Sequence, residues 1–177
     1  MNRNLKEIMD YIEDVRTEIN NFIQASDETQ LRMKPTSGAW SPAEILHHLY
    51  KTEIYITELL VRQLGRAKKR NMMAKQEGGS YLHSLDDLNI DTVKEKIKAP
   101  EIALPEENIE IKELFTKMNK SRAELRKVLQ DFSEYDMEGI EFPHPTGKRM
   151  NMIQWILFLG KHELRHFKQI KSILRSS

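Results

Sequence analysis

Six histidines, His47, His48, His83, His144, His162 and His166, are the residues of this chain best suited to chemistry near neutral pH. There is no cysteine, which excludes disulfides, thiolate ligands and a protein thiol nucleophile. His162 and His166 stand four apart, so on a helix both rings leave one face about one turn apart. That spacing lets two imidazoles reach one metal ion. The run His162-Glu163-Leu164-Arg165-His166 has the HExxH order of zinc peptidases, but no third-ligand pattern of that family follows it. Peptidase chemistry is therefore not expected.

The elements that must position these rings follow from apolar periodicity. A first helix runs from about Leu5 to Phe22, with Leu5, Ile8, Met9, Ile12, Val15, Ile19 and Phe22 on one stripe. A second spans about Ser41 to Leu64 with Ile45, Leu49, Ile56 and Leu59 inward. A third follows Pro105 and uses Ile111, Leu114, Met118, Leu125, Val128 and Phe132. The fourth, about Asn151 to Leu174, uses Ile156, Leu159, Phe167, Ile170 and Leu174. Each is amphipathic as a bundle helix must be. The second starts on a strong signal: Ser41 as N-cap, Pro42 at the first position, Glu44 closing a capping box, and Trp40 stapling onto Ile45.

Residues 65–105 are polar and irregular, with Gly78-Gly79 in the middle. Such a length suits a crossover, held down by Tyr81, Leu82, Leu85 and Leu88, that lets the second and third helices run parallel. The expected fold is all-α, a single domain over 1–177, built as a four-helix bundle in up-down-down-up order.

Helix geometry then selects a third ligand. His48 flanks the inward stripe of the second helix, and at about 100° per residue His47 is expected to point outward. His48 lies about 10 Å into its helix and His166 about 12 Å from the end of the fourth. If those helices are antiparallel, as the crossover implies, His48, His162 and His166 share one layer. Three neutral imidazoles suit a borderline divalent ion such as Zn²⁺ or Ni²⁺, and three ligands with one open position describe a catalytic rather than a structural site. The same periodicity equally accommodates three hydrogen-bonded histidines in an ordinary bundle core.

Two blocks carry a family resemblance. The first is Trp40-Ser41-Pro42-Ala43-Glu44-Ile45-Leu46-His47-His48-Leu49; the second is His144-Pro145-Thr146-Gly147, then Trp155, then His162 to Ile170 with its HxxxHxxQ run. Together they resemble the DinB-like superfamily of small metal-binding helical proteins, which includes YfiT-type hydrolases and bacillithiol transferases. The resemblance implies an up-down-down-up bundle with a three-histidine metal site at His48, His162 and His166. It further implies metal activation of a low-molecular-weight thiol cosubstrate for attack on an electrophilic small molecule, and a homodimer. Without a cysteine in the chain, that thiol must arrive as a substrate. A metal-dependent hydrolase and a non-enzymatic metal-binding or regulatory bundle are the alternatives.

His144, in a proline-flanked loop before the fourth helix, is a candidate for proton transfer or for fixing the turn. Gln169 is placed either to orient a ligand ring or simply to pack or face solvent, His83 either lines a cavity or reads as an exposed crossover residue, and Gly160 reads as a point of close helix approach. Lys and Arg total 28 against 27 Asp and Glu, so no global field attracts nucleic acid or a membrane. The basic runs, Arg66 to Lys75 and Lys161 to Arg175, read as solvated faces. The first ten residues lack the apolar run of a signal peptide, and Trp155–Leu159 is far short of the ~20 residues that span a bilayer. A cytoplasmic protein is the expectation.

Overall fold

A computed structural model describes residues 3–36, 38–74, 79–88, 90, 100–144 and 147–176. Lys75, Gly78, Pro145 and Thr146 lie outside these. The elements are α1 (Arg3–Ala25), a short α2 (Glu28–Arg32), α3 (Pro42–Lys69), α4 (Ile111–Phe132), a hairpin of β1 (Glu141–Pro143) and β2 (Arg149–Asn151), and α5 (Met152–Ser176). The four long helices form an all-α four-helix bundle.

Contacts between named residues establish the topology. Arg16 meets Glu163 and Phe22 meets Phe167, so α1 and α5 run parallel. Arg16 bonds the Met118 carbonyl while Glu13 pairs with Arg126, so α1 and α4 run antiparallel. Tyr50 lies near Lys117 while Glu53 bonds Ser121 and Arg122, so α3 and α4 are parallel. The order is up-down-down-up, and α3 is antiparallel to α5.

The expected cap of α3 is present in full. Ser41 accepts from the Glu44 N–H at 3.2 Å, and the Ser41 N–H donates to Glu44 at 2.7 Å. Asn151 does the same for α5: its side chain accepts from the Gln154 N–H at 2.9 Å, while its own N–H donates to the Gln154 amide at 3.1 Å. Gly160 is the close approach between α1 and α5. A Cβ there would stand 2.7 Å from Ile12 Cγ2 and 2.8 Å from Tyr11 Cε1.

Periodicity places most of the core. Leu5, Ile8, Ile12, Ile45, Leu49, Ile56, Met118, Leu125, Ile156 and Leu159 are all essentially inaccessible. Leu85 is fully buried, with Tyr81, Leu82 and Leu88 packed beside it, so this part of the crossover is anchored against the bundle. Several short elements arise without a periodicity signal, among them the hairpin and a turn of 3-10 helix. The hairpin pairs Phe142 with Met150 and is too short to show alternation. The turn of 3-10 helix at Glu101–Ala103 lies in the crossover against α3. The segment just after that turn corrects one expectation: His47 does not point outward into solvent but is buried, with its ring bonded to the Glu106 N–H. Helical phase assigns a side chain to a face of its own helix, and says nothing of what the rest of the chain lays over that face.

Candidate metal centre

His48, on α3, and His162 and His166, on α5, converge. One ring nitrogen from each lies within 4.8 Å of the others, and the three are the one such group of His and acidic residues among those described. The Nε2 atoms of His48 and His162 are 3.3 Å apart. The ring centroids are 5.1 Å apart for His48 and His162, 5.0 Å for His48 and His166, and 4.5 Å for His162 and His166. His48 is buried, whereas His162 and His166 are half-buried, so one side of the cluster remains accessible.

Two of the rings are oriented from outside. His48 Nδ1 lies 2.8 Å from the Ala103 carbonyl oxygen, which can only accept, so Nδ1 carries the proton and Nε2 presents a lone pair. His166 Nδ1 pairs with Gln169 Oε1 at 2.9 Å in the same sense, which is the orienting role expected of Gln169. His162 Nδ1 is buried and has no hydrogen-bond partner among the described residues. In either tautomer this third ring is left unsatisfied. With the proton on Nε2 it donates to His48 but leaves the Nδ1 lone pair bare; with the proton on Nδ1, two Nε2 lone pairs face each other. A cation at the Nε2 atoms would remove the second conflict, so the donor set fits a divalent metal ion.

The electrostatics suit that use. Burial pushes all three imidazoles below the ordinary histidine value, His166 to about 4 and His162 well below 6.5, and the neighbouring rings lower His162 and His166 further. They stay neutral at pH 7, as metal ligands must be. The walls are aromatic. Trp40 tilts against His48 at 5.1 Å while packing on the core around Ile45, and Phe158 stacks on His162 at 5.5 Å.

The other histidines fall elsewhere. His144 is buried one ring further back, 4.4 Å from Phe158 and 5.2 Å from Trp155, with its backbone N–H donating to the Lys148 carbonyl. Burial lowers it to about 4. His83 is exposed and paired with Asp86 at 2.8 Å. His47 Nδ1 accepts from the Glu106 N–H at 2.9 Å, a second tie to the crossover beside that of His48.

Sequence reasoning missed a set of four charges in the core. Glu53 and Glu163 are fully buried and Arg16 and Arg122 are 2% exposed. Both guanidiniums bond both carboxylates. Burial alone would raise the Glu163 carboxyl, but the two guanidiniums overcome it and hold it below the usual carboxylate range. Its oxygens are fully committed to these arginines, so Glu163 is no general base for water at the histidines and the HExxH order has no peptidase meaning here. A signal did exist: Arg16 lies between Ile12 and Ile19, and Arg122 between Met118 and Leu125, each a charge inside an apolar stripe.

The sequence matches the family model of the DinB superfamily over residues 7–170. The chain belongs to the DinB superfamily. It is similar to the uncharacterized protein YuaE of Bacillus subtilis strain 168, at 28% identity over 166 residues, covering 93% of this chain and 96% of that protein. Its fold is shared with TT2238, a four-helix bundle protein, whose crystal structure superposes with a TM-score of 0.62 at 18% identity, over 95% of this chain and 98% of that one. The family match bears on ancestry, and the likeness to TT2238 on the fold alone. No described helix is long and apolar enough to cross a membrane.

Proposed function

We propose that this DinB-superfamily protein is a metal-dependent enzyme, with His48, His162 and His166 as ligands, that transfers a low-molecular-weight thiol to an electrophilic small molecule. The observation that carries the reading is the convergence of three neutral imidazoles, with no fourth protein ligand beside them among the described residues, on a side left partly open. A Zn²⁺ or Ni²⁺ ion held there supplies Lewis acidity that lowers the pKa of a small thiol or of water at the open position.

The chain's own part is to hold and enclose. Ala103 and Gln169 fix two of the rings in the ligating tautomer. Trp40 and Phe158 give the substrate an apolar wall. In the transfer, sulfur loses its proton to solvent and bonds to the electrophilic carbon, and in a displacement the leaving group departs with its electron pair. The absence of cysteine makes an external thiol the required sulfur source. Because the sulfur proton goes to solvent, His144, buried behind Phe158, takes the turn-fixing role in the same reading.

Elemental analysis of protein purified without a histidine tag tests the centre, with one Zn²⁺ or Ni²⁺ per chain expected. No metal above trace levels, and no uptake on reconstitution, would remove it. Loaded protein is then assayed for loss of free thiol with an alkylating electrophile. Metal-dependent ester or amide hydrolysis without thiol consumption would replace transfer by hydrolysis. Homodimer formation, part of the same reading, is measured by sedimentation.

A further inference from the structure

The four buried charges are divided among the helices by sign. The two ligand-bearing helices each contribute a carboxylate, Glu53 on α3 and Glu163 on α5. The two helices without ligands each contribute a guanidinium, Arg16 on α1 and Arg122 on α4. Glu53 is five residues beyond His48, about 7.5 Å along the axis, and Glu163 lies between His162 and His166.

Left to themselves, two buried carboxylates would drive α3 and α5 apart. Instead each arginine bridges both. Arg16 bonds Glu53 at 3.0 Å and also Glu163; Arg122 bonds Glu53 at 2.7 Å and both oxygens of Glu163 at 2.9 Å. The remaining Glu53 oxygen accepts from the Ser121 hydroxyl. Arg16 is further held by the Met118 carbonyl at 3.0 Å, and Arg122 by the Ile12 carbonyl at 2.8 Å. The spacing of α3 and α5 is thus set from two sides by planar, multiply bonded groups.

We infer that Arg16, Glu53, Arg122 and Glu163 are positioning residues of the histidine centre, fixing the register of α3 against α5 so that the three rings meet. This rests on the metal reading above. Hydrophobic packing alone would hold the helices together but tolerates small slides, whereas an imidazole cluster with nitrogens 3.3 Å apart does not. A buried ionic set contributes little net stability over apolar residues of similar size, so geometric specificity is the role left for it.

The test uses the full chain with all four charges removed at similar volume: Arg16→Met, Glu53→Gln, Arg122→Met and Glu163→Gln. Zn²⁺ affinity is measured by competition titration, and site geometry by the visible absorption of bound Co²⁺. The variant is expected to remain helical, bind Zn²⁺ at least tenfold more weakly, and show a shifted or broadened Co²⁺ spectrum. A distant core variant, Phe132→Leu, controls for lost stability and should leave both readouts unchanged. If the quadruple variant does not fold, Arg16→Lys, which keeps the charge but loses the planar bridge, is read in the same titration. Unchanged affinity and spectrum in the folded variant overturn the positioning role alone. Absence of binding by the unmodified protein overturns the metal reading and this inference with it.

Discussion

His48 and Ala103, 55 residues apart in sequence, are joined by a 2.8 Å hydrogen bond from the imidazole Nδ1 to the backbone carbonyl. The adjacent His47 holds the same crossover segment through the Glu106 N–H. Two successive histidines therefore tie down one strap with opposite polarity, one donating and one accepting.

Replacing His47 with Leu should loosen that strap. Glu106 is exposed, so water replaces the lost partner and the stability loss stays near or below ~1 kcal/mol. Hydrogen exchange over residues 100–106 should nevertheless quicken, and metal affinity should fall several-fold as His48 loses its restraint. Exchange unchanged from the parent protein would show that the strap is held by packing instead.

Single changes in the ionic set should be costly where the quadruple change is not. Arg122→Met leaves two buried carboxylates with one guanidinium, and unfolding in urea should show a loss of ~3–5 kcal/mol. The Glu163 carboxyl titrates below its ordinary 4.5 in the folded protein, so its contribution is full above that pH. Acid titration of stability should show that contribution lost as pH falls below about 4.5 and through the folded value.

His144 adds a second acid response with a different window. Its folded value is about 4 against 6.5 for an ordinary histidine, so the unfolded chain binds more protons between those limits. Stability contributed by neutral His144 is complete above about 6.5 and declines towards pH 4. His144→Phe, which suits the cage of Trp155 and Phe158, should remove part of that decline in thermal melts of metal-free protein. Parallel melting curves across pH 4–7 for the two proteins would contradict this.

Gly160→Ala sets helix propensity against space. Alanine gains up to ~1 kcal/mol in a helix, while a Cβ 2.7 Å from Ile12 Cγ2 forces α1 and α5 apart at a cost of ~1–3 kcal/mol. Net destabilisation of ~1 kcal/mol is expected in chemical unfolding, and a stabilised variant would show that α1 shifts freely.

Alanine at His48, His162 or His166 should each abolish stoichiometric metal uptake, whereas His83→Ala should leave it intact because His83 pairs with Asp86 at the surface. Isothermal titration with Zn²⁺ measures both. Equal uptake by all four variants would place any bound metal elsewhere.

Much of this architecture is local and therefore legible in the chain. The spacing of Ile8, Ile12, Val15 and Ile19 dictates a helix face wherever the helix packs, and the Ser41–Glu44 box closes within four residues. The layer shared by His48, His162 and His166 was also accessible, because helix rise and one topological choice locate it. What only the tertiary structure decided are contacts between segments with no sequence relation. The crossover turn over His47 and His48, the place of His144 behind Phe158, and the pairing of Arg16 and Arg122 with Glu53 and Glu163 are of this kind. A charge in an apolar stripe announces that it will be buried. Which opposite charge meets it depends on how four helices are brought together, and no period within one helix carries that information.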